Sequence, residues 1–173
     1  MKILVIEDEQ RAAEYLRQGL TESGYVVDVA LNGTDGLHAA VTGDHDLVIL
    51  DVMLPGVDGF AVLSALRTAR QIPVLMLTGL DDDASITRAY RAGATDFFVK
   101  STQWSLLAGR LRYMLRASRT RIELERSKFK LARAQDLARM GSFDWRRGER
   151  LGHLWLSPEA LRVLGRNPGD RLE

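Results

Sequence analysis

Short apolar runs and amphipathic stretches alternate through the first hundred residues. Ile3-Leu4-Val5-Ile6 runs into Glu7-Asp8-Glu9 and predicts a first strand. Ala12, Ala13, Leu16 and Leu20 follow at helical spacing over residues 11–23, and Gly24 is a stop. Residues 25–30 are β-rich and alternate, which predicts strand two. Asn32-Gly33 is a turn, and Thr34 or Asp35 is expected to cap a helix reaching about Val41. Asp46 to Leu50 predicts strand three, residues 60–70 a helix, and Val74 to Leu77 strand four after Ile72-Pro73. Asp81–Asp83 reads as a capping run for a helix over residues 84–92, which Gly93-Ala94 breaks. Strand five spans residues 96–99 and ends at Lys100.

The central strand, Leu47-Val48-Ile49-Leu50, is apolar without alternation, the mark of a strand covered on both faces, as in parallel sheets. Strands alternating with helices predict an α/β fold: a doubly wound, five-stranded parallel sheet in the order 2-1-3-4-5. Strands one and three then flank the switch point, which brings Glu7, Asp8 and Asp51 to one end of the sheet.

The texture changes after Thr102. From Trp104 to about Ala138 there is no proline and helix formers dominate, which predicts an extended C-terminal helix. Leu107, Leu111, Met114 and Leu115 are placed to pack on the sheet. Ile122, Leu124, Phe129, Leu131, Ala134 and Ala138 continue as a narrower stripe, interrupted as a coiled-coil seam by Ser118, Arg121 and Glu125. A stripe of this kind needs a partner, and a homodimer through the C-terminal helix is expected. Residues 142–147 and 153–156 read as a hairpin, and Ser157-Pro158 as a helix start. This makes a small, incomplete α+β appendage. The expected division is 1–118 for the α/β domain, 119–139 for a helical linker and 140–173 for the appendage.

Charge is unevenly spread. Residues 1–100 carry 8 Lys/Arg and 15 Asp/Glu, whereas residues 101–150 carry 13 and 5. The acidic part suggests a cation site, and the basic part reads first as a solvated helix face. No apolar stretch reaches the ~18 residues of a membrane span. With no cysteine and no signal-peptide pattern, the expected location is the cytoplasm, without a membrane partner.

The chemistry gathers at the strand ends: Glu7 and Asp8, Asp51, Thr78 and Lys100. Singly, each has an ordinary role as a cap or a solvated group, and Phe97 alone reads as core. Together they point further. Three carboxylates repel unless a cation neutralises them. Oxygen ligands without His or Cys favour a hard cation, here Mg2+. A lysine and a hydroxyl beside it fit phosphoryl transfer, with Asp51 able to act as nucleophile.

Glu7-Asp8, Asp51, Thr78 and Lys100, with Met53-Leu54-Pro55-Gly56-Val57-Asp58-Gly59 behind the central acid, resemble the receiver domain of two-component response regulators over residues 1 to about 118. The resemblance implies a flavodoxin-like fold. It implies that Asp51 accepts phosphate from a sensor histidine kinase or phosphotransfer protein. It also implies that Glu7, Asp8, Asp51 and the Met53 backbone carbonyl hold Mg2+, and that Thr78 and Lys100 bind the phosphoryl oxygens. Thr78 and Phe97 match the family's switch pair. A receiver is not an enzyme beyond assisting its own phosphorylation and dephosphorylation.

Two departures stand out. Receivers usually carry proline after this lysine, in a bond that is usually cis; here Ser101 follows. A cis bond without proline costs ~3–4 kcal/mol, so a trans 100–101 bond, or failing that a strained cis one, is expected, with weakened phosphorylation. Met53 and Leu80, two residues beyond Asp51 and Thr78, match positions that in receivers flank the route of water to the acyl phosphate, and their apolar groups are expected to slow or redirect hydrolysis.

Residues 141–165 resemble the start of a PAS domain, without the length for the complete fold. Residues 1–59 resemble DNA-binding regulators with a winged-helix output. Residues 74–118 resemble receivers joined through PAS domains to cyclic-di-GMP enzymes. The expected function is a phosphorylatable switch that relays its state through the long helix to an output module. Two alternatives stand beside it. One is a fragment of a DNA-binding transcriptional regulator, although the long helix lacks a second recognition helix and nucleic acid is not the expected partner. The other is a pseudo-receiver that binds proteins without being phosphorylated.

Overall fold

The structure, a computed structural model, describes residues 1–79, 83–100, 105–138, 143–146 and 153–165. It divides into two compact units, Met1–Arg119 and Thr120–Glu173.

The first unit is a five-stranded parallel sheet in the order β2-β1-β3-β4-β5. Its strands are β1 (Lys2–Ile6), β2 (Val26–Ala30), β3 (Leu47–Asp51), β4 (Val74–Thr78) and β5 (Asp96–Val99). The helices between them are α1 (Gln10–Glu22), α2 (Gly33–Thr42), α3 (Gly59–Ala69) and α4 (Asp83–Arg91), and α5 (Ser105–Leu137) follows β5. The predicted topology is therefore the observed one.

Every residue of β3 and β4 is buried, as expected of central strands covered on both faces. Alternate residues feed two cores. Leu4, Ile6, Val48, Leu50, Met76 and Phe97 pack on one face with Val62, Leu63 and Leu66 of α3 and Ala89 of α4. Ile3, Val5, Leu47, Ile49, Leu75 and Leu77 pack on the other with Leu16 and Leu20 of α1 and Leu107, Leu111, Met114 and Leu115 of α5. Each such aliphatic side chain contributes roughly 1.5–3 kcal/mol on burial, which fixes the first turns of α5 to the sheet.

The cap of α2 differs from expectation. Neither Thr34 nor Asp35 serves; Asn32 does, with extended backbone and its Oδ1 accepting the Asp35 N–H at 2.8 Å. The Asn-Gly pair is thus a helix entry rather than a free-standing turn. Asp58 caps α3 in the same way, accepting the Ala61 N–H at 2.7 Å. Asp81 and Asp82 of the proposed capping run lie outside the described residues.

Within the second unit, β6 (Phe143–Arg146) and β7 (His153–Leu156) pair antiparallel as the predicted hairpin. Ser157 caps α6 (Pro158–Val163), with its Oγ accepting the Ala160 N–H at 3.1 Å and proline in the first turn.

Candidate functional site

Parallel strands end at the same edge of a sheet, so residues far apart in the chain meet there. Ile6 pairs with Leu50, which puts Glu7 beside Asp51. Asp51 pairs with Leu77, which puts Thr78 one residue beyond it on the adjacent strand. Thr78 pairs with Val99, and Lys100 follows, its N–H donating to the Thr78 carbonyl at 2.6 Å.

Glu7 and Asp51 are almost fully buried, whereas Asp8 is exposed. Carboxylate oxygens from all three lie within 4.8 Å of one another. The Lys100 Nζ bridges the two buried acids, 2.7 Å from Glu7 Oε2 and 2.7 Å from Asp51 Oδ2. Only the Asp51 contact has hydrogen-bond geometry; at Glu7 Oε2 the ammonium is a close charge, and that oxygen keeps an unused lone pair. Burial pushes the Glu7 carboxyl above the usual carboxylate range; the Lys100 contact opposes this, and the Asp51 charge adds to it. Burial works against the Lys100 ammonium, but its contacts with Asp51 and Glu7 outweigh that and raise its pKa.

The chain behind Asp51 turns sharply away from the strand end. The Met53 N–H donates to Asp51 Oδ1 at 3.1 Å, and Gly56 turns the chain with φ +80°, a conformation that suits glycine. Gly59 then lets α3 approach closely, its N–H donating to the Val52 carbonyl at 3.0 Å. The Met53 side chain is exposed. All-oxygen donors from three carboxylates within 4.8 Å of one another, with the exposed Asp8 at the opening, fit a hard divalent cation.

The predicted residues Glu7, Asp8, Asp51, Met53, Thr78 and Lys100 are thus brought to one sheet edge. Phe97 is set apart from them: it is buried opposite Met76 in the core on the α3 and α4 side. Ser101 and Leu80, on which the two departures turn, lie outside the described residues.

One arrangement was not foreseen. Arg110 of α5 reaches back to β5, with Nη1 3.0 and 3.1 Å from the two Asp96 carboxylate oxygens and 2.9 Å from the Phe97 carbonyl. Nothing in the spacing of these residues signals this clamp; it depends on the angle at which α5 lies on the sheet.

Comparison with known proteins gives a consistent result. Residues 3–112 match the response regulator receiver domain family. The transcriptional regulatory protein HprR of Escherichia coli is 49% identical over 116 residues, covering 67% of this chain and 52% of HprR. AfsQ1 of Streptomyces coelicolor, also a transcriptional regulatory protein, is 35% identical over 173 residues, covering 98% of this chain and 74% of AfsQ1. The chain spans about half the length of the first curated relatives it matches. Among solved structures, the BeF3-activated receiver domain of Klebsiella pneumoniae RstA has a TM-score of 0.65 at 34% identity, covering 67% of this chain and 99% of that one. TrrA of Thermotoga maritima, solved in complex with Mg2+ and beryllium fluoride, has a TM-score of 0.61 at 32% identity, covering 65% and 97%. The sheet order agrees with these matches, and the chain belongs to the response regulator receiver domain family.

Proposed function

We propose that this chain is a phosphorylatable switch in which Asp51 is the acceptor. The observation that carries the reading is Lys100, held 2.7 Å from Asp51 where it neutralises the acceptor and stands ready for a phosphoryl oxygen. A carboxylate oxygen of Asp51 attacks the phosphorus of a phosphohistidine on a sensor kinase or phosphotransfer protein. The new O–P bond forms as the P–N bond breaks, and the histidine leaves as imidazole after taking a proton from solvent. Glu7, Asp8, Asp51 and the Met53 carbonyl are the ligands for Mg2+, which when bound supplies charge to the phosphoryl oxygens. Thr78 and Lys100 hold those oxygens, and Thr78 with Phe97 carries the switch. The protein assists only its own phosphorylation and dephosphorylation, in the cytoplasm.

The state of the site passes along α5. Residues 119–139 act as the linker and pair with a second copy, and residues 140–173 begin the output, read as the start of a PAS module that leads toward a cyclic-di-GMP enzyme. A DNA-binding output is the second reading. The similarity to AfsQ1, which runs across nearly the whole chain, favours it.

Intact mass after incubation with acetyl phosphate and Mg2+ tests the acceptor. Wild type is expected to gain one phosphoryl group and Asp51→Ala none. An unmodified wild type would make the domain a pseudo-receiver; modification that survives Asp51→Ala would place the acceptor elsewhere. A salt-dependent shift of duplex DNA by this chain would favour the second output.

A further inference from the structure

Between Thr120 and Ala138 the chain carries eight charged residues. Yet Thr120, Leu124, Ser127, Leu131, Ala134 and Ala138, spaced alternately by four and three, carry none, and all six are exposed. That spacing is a heptad seam. Leu124 and Leu131 are 53% and 60% exposed, with the small Ser127 between them and Ala134 and Ala138 beyond, so a second helix can approach closely.

Ile122 and Phe129 are exposed too, but two residues before Leu124 and Leu131 means about 200° around the helix, the opposite face. There Arg126 and Arg133 lie at the same alternating spacing as Ile122 and Phe129. Two copies meeting on that face would set arginine against arginine. Charge therefore separates two apolar pairs that size alone does not.

We propose that the Leu124 and Leu131 face of α5 pairs with the same face of a second copy, parallel and in register, as a short two-stranded coiled coil. This rests on the reading of α5 as a dimerising helix and assigns its seam and direction. In this register Glu123 on one chain faces Lys128 on the other, twice by symmetry. The preceding flanking pair is Arg116 with Arg121, which repel, so the seam begins at Thr120.

Sedimentation equilibrium on the full chain tests this. Wild type is expected to dimerise. Leu124→Glu/Leu131→Glu is expected to be monomeric at the same concentration, whereas Ile122→Glu/Phe129→Glu, an equal burden of charge on the opposite face, remains dimeric. Glu123→Lys and Lys128→Glu each weaken self-association at least tenfold, and an equimolar mixture of the two recovers the dimer, because the exchanged charges then attract at both pairs. If the mixture fails to recover, the parallel register is wrong. A dimer lost only in Ile122→Glu/Phe129→Glu keeps the dimerising helix but overturns the seam. A dimer indifferent to both double variants, or a wild type that stays monomeric, removes the dimerising helix itself.

Discussion

Replacing Gly59 with alanine asks how closely α3 is seated against the strand that carries the acceptor. A Cβ at Gly59 would lie 2.1 Å from the Asp51 carbonyl oxygen, 2.9 Å from Val52 Cα and 3.0 Å from the Asp51 carbonyl carbon. Carbon and oxygen come no closer than roughly 3.3 Å even in favourable contacts, so the first approach is short by about 1.2 Å. All three obstacles are backbone, and no rotamer relieves them. The start of α3 must retreat by about 1 Å, which strains the 3.0 Å bond from the Gly59 N–H to the Val52 carbonyl. Overpacking costs roughly 1–3 kcal/mol, and the loss of that bond about 1 kcal/mol more. A loss of ~3 kcal/mol follows, which at an m-value of about 2 kcal/mol/M moves the urea midpoint down by about 1.5 M. The same retreat displaces Asp51 relative to Lys100, and a displacement of about 1 Å costs on the order of 100-fold in rate. Urea titration by circular dichroism and phosphoryl uptake by intact mass read the two effects. A midpoint within about 0.2 M of wild type and an unchanged uptake rate would refute the reasoning.

Three further substitutions probe other levels of the structure. Gly19→Ala, in the interior of α1 with open space around its Cβ, is expected to stabilise the fold by about 0.4–1 kcal/mol, seen as a higher urea midpoint; a lower one would mean the site is not open. Asp58→Ala removes the cap on Ala61 and is expected to cost about 1 kcal/mol, whereas Asp58→Asn, which keeps the acceptor, costs less; equal losses would point to charge rather than capping. Asp28 is held below the usual carboxylate range, first by its hydrogen bond from the buried His45 and then by Lys2. Because its folded pKa is depressed, its contribution is present above the ordinary carboxylate pKa and disappears as pH falls through the lower folded value. Asp28 is half exposed, so the effect is small. Asp28→Asn is expected to lose less stability than wild type between pH 5 and pH 3, and equal losses would count against the pairing.

Much of this was legible in the residues because parallel sheets translate position along the chain into place in space. Leu47 to Leu50 could be read as a doubly covered strand from its unbroken apolar run, and its polar terminus then had to lie at the ligand-binding edge. Once the strand order was set, Glu7, Thr78 and Lys100 fell beside Asp51 without any side-chain information. The gaps are of a different kind. Asn32 displaced Thr34 and Asp35 as the cap of α2 because capping depends on where the extended residue falls, a matter of two or three positions. The bridge from Lys100 to both Glu7 and Asp51 depends on rotamers. The Arg110 clamp depends on the pitch of a helix across a sheet, which periodicity does not encode.

That clamp has a mechanical consequence. Phe97 points into the core on the α3 and α4 side, whereas α5 packs on the opposite side of the sheet, so the aromatic ring and the outgoing helix share no packing layer. Arg110 joins them through the peptide instead, holding the Phe97 carbonyl at 2.9 Å. A carbonyl that recedes by about 0.6 Å along that line reaches the outer limit of a hydrogen bond. A larger excursion of β5 at that peptide must therefore either break this charge-assisted bond, at roughly 1.5–3 kcal/mol, or tow the opening turns of α5 with it. Arg110 makes the backbone of β5 a tether, and the stiffness of one side chain sets how much strand movement the helix feels.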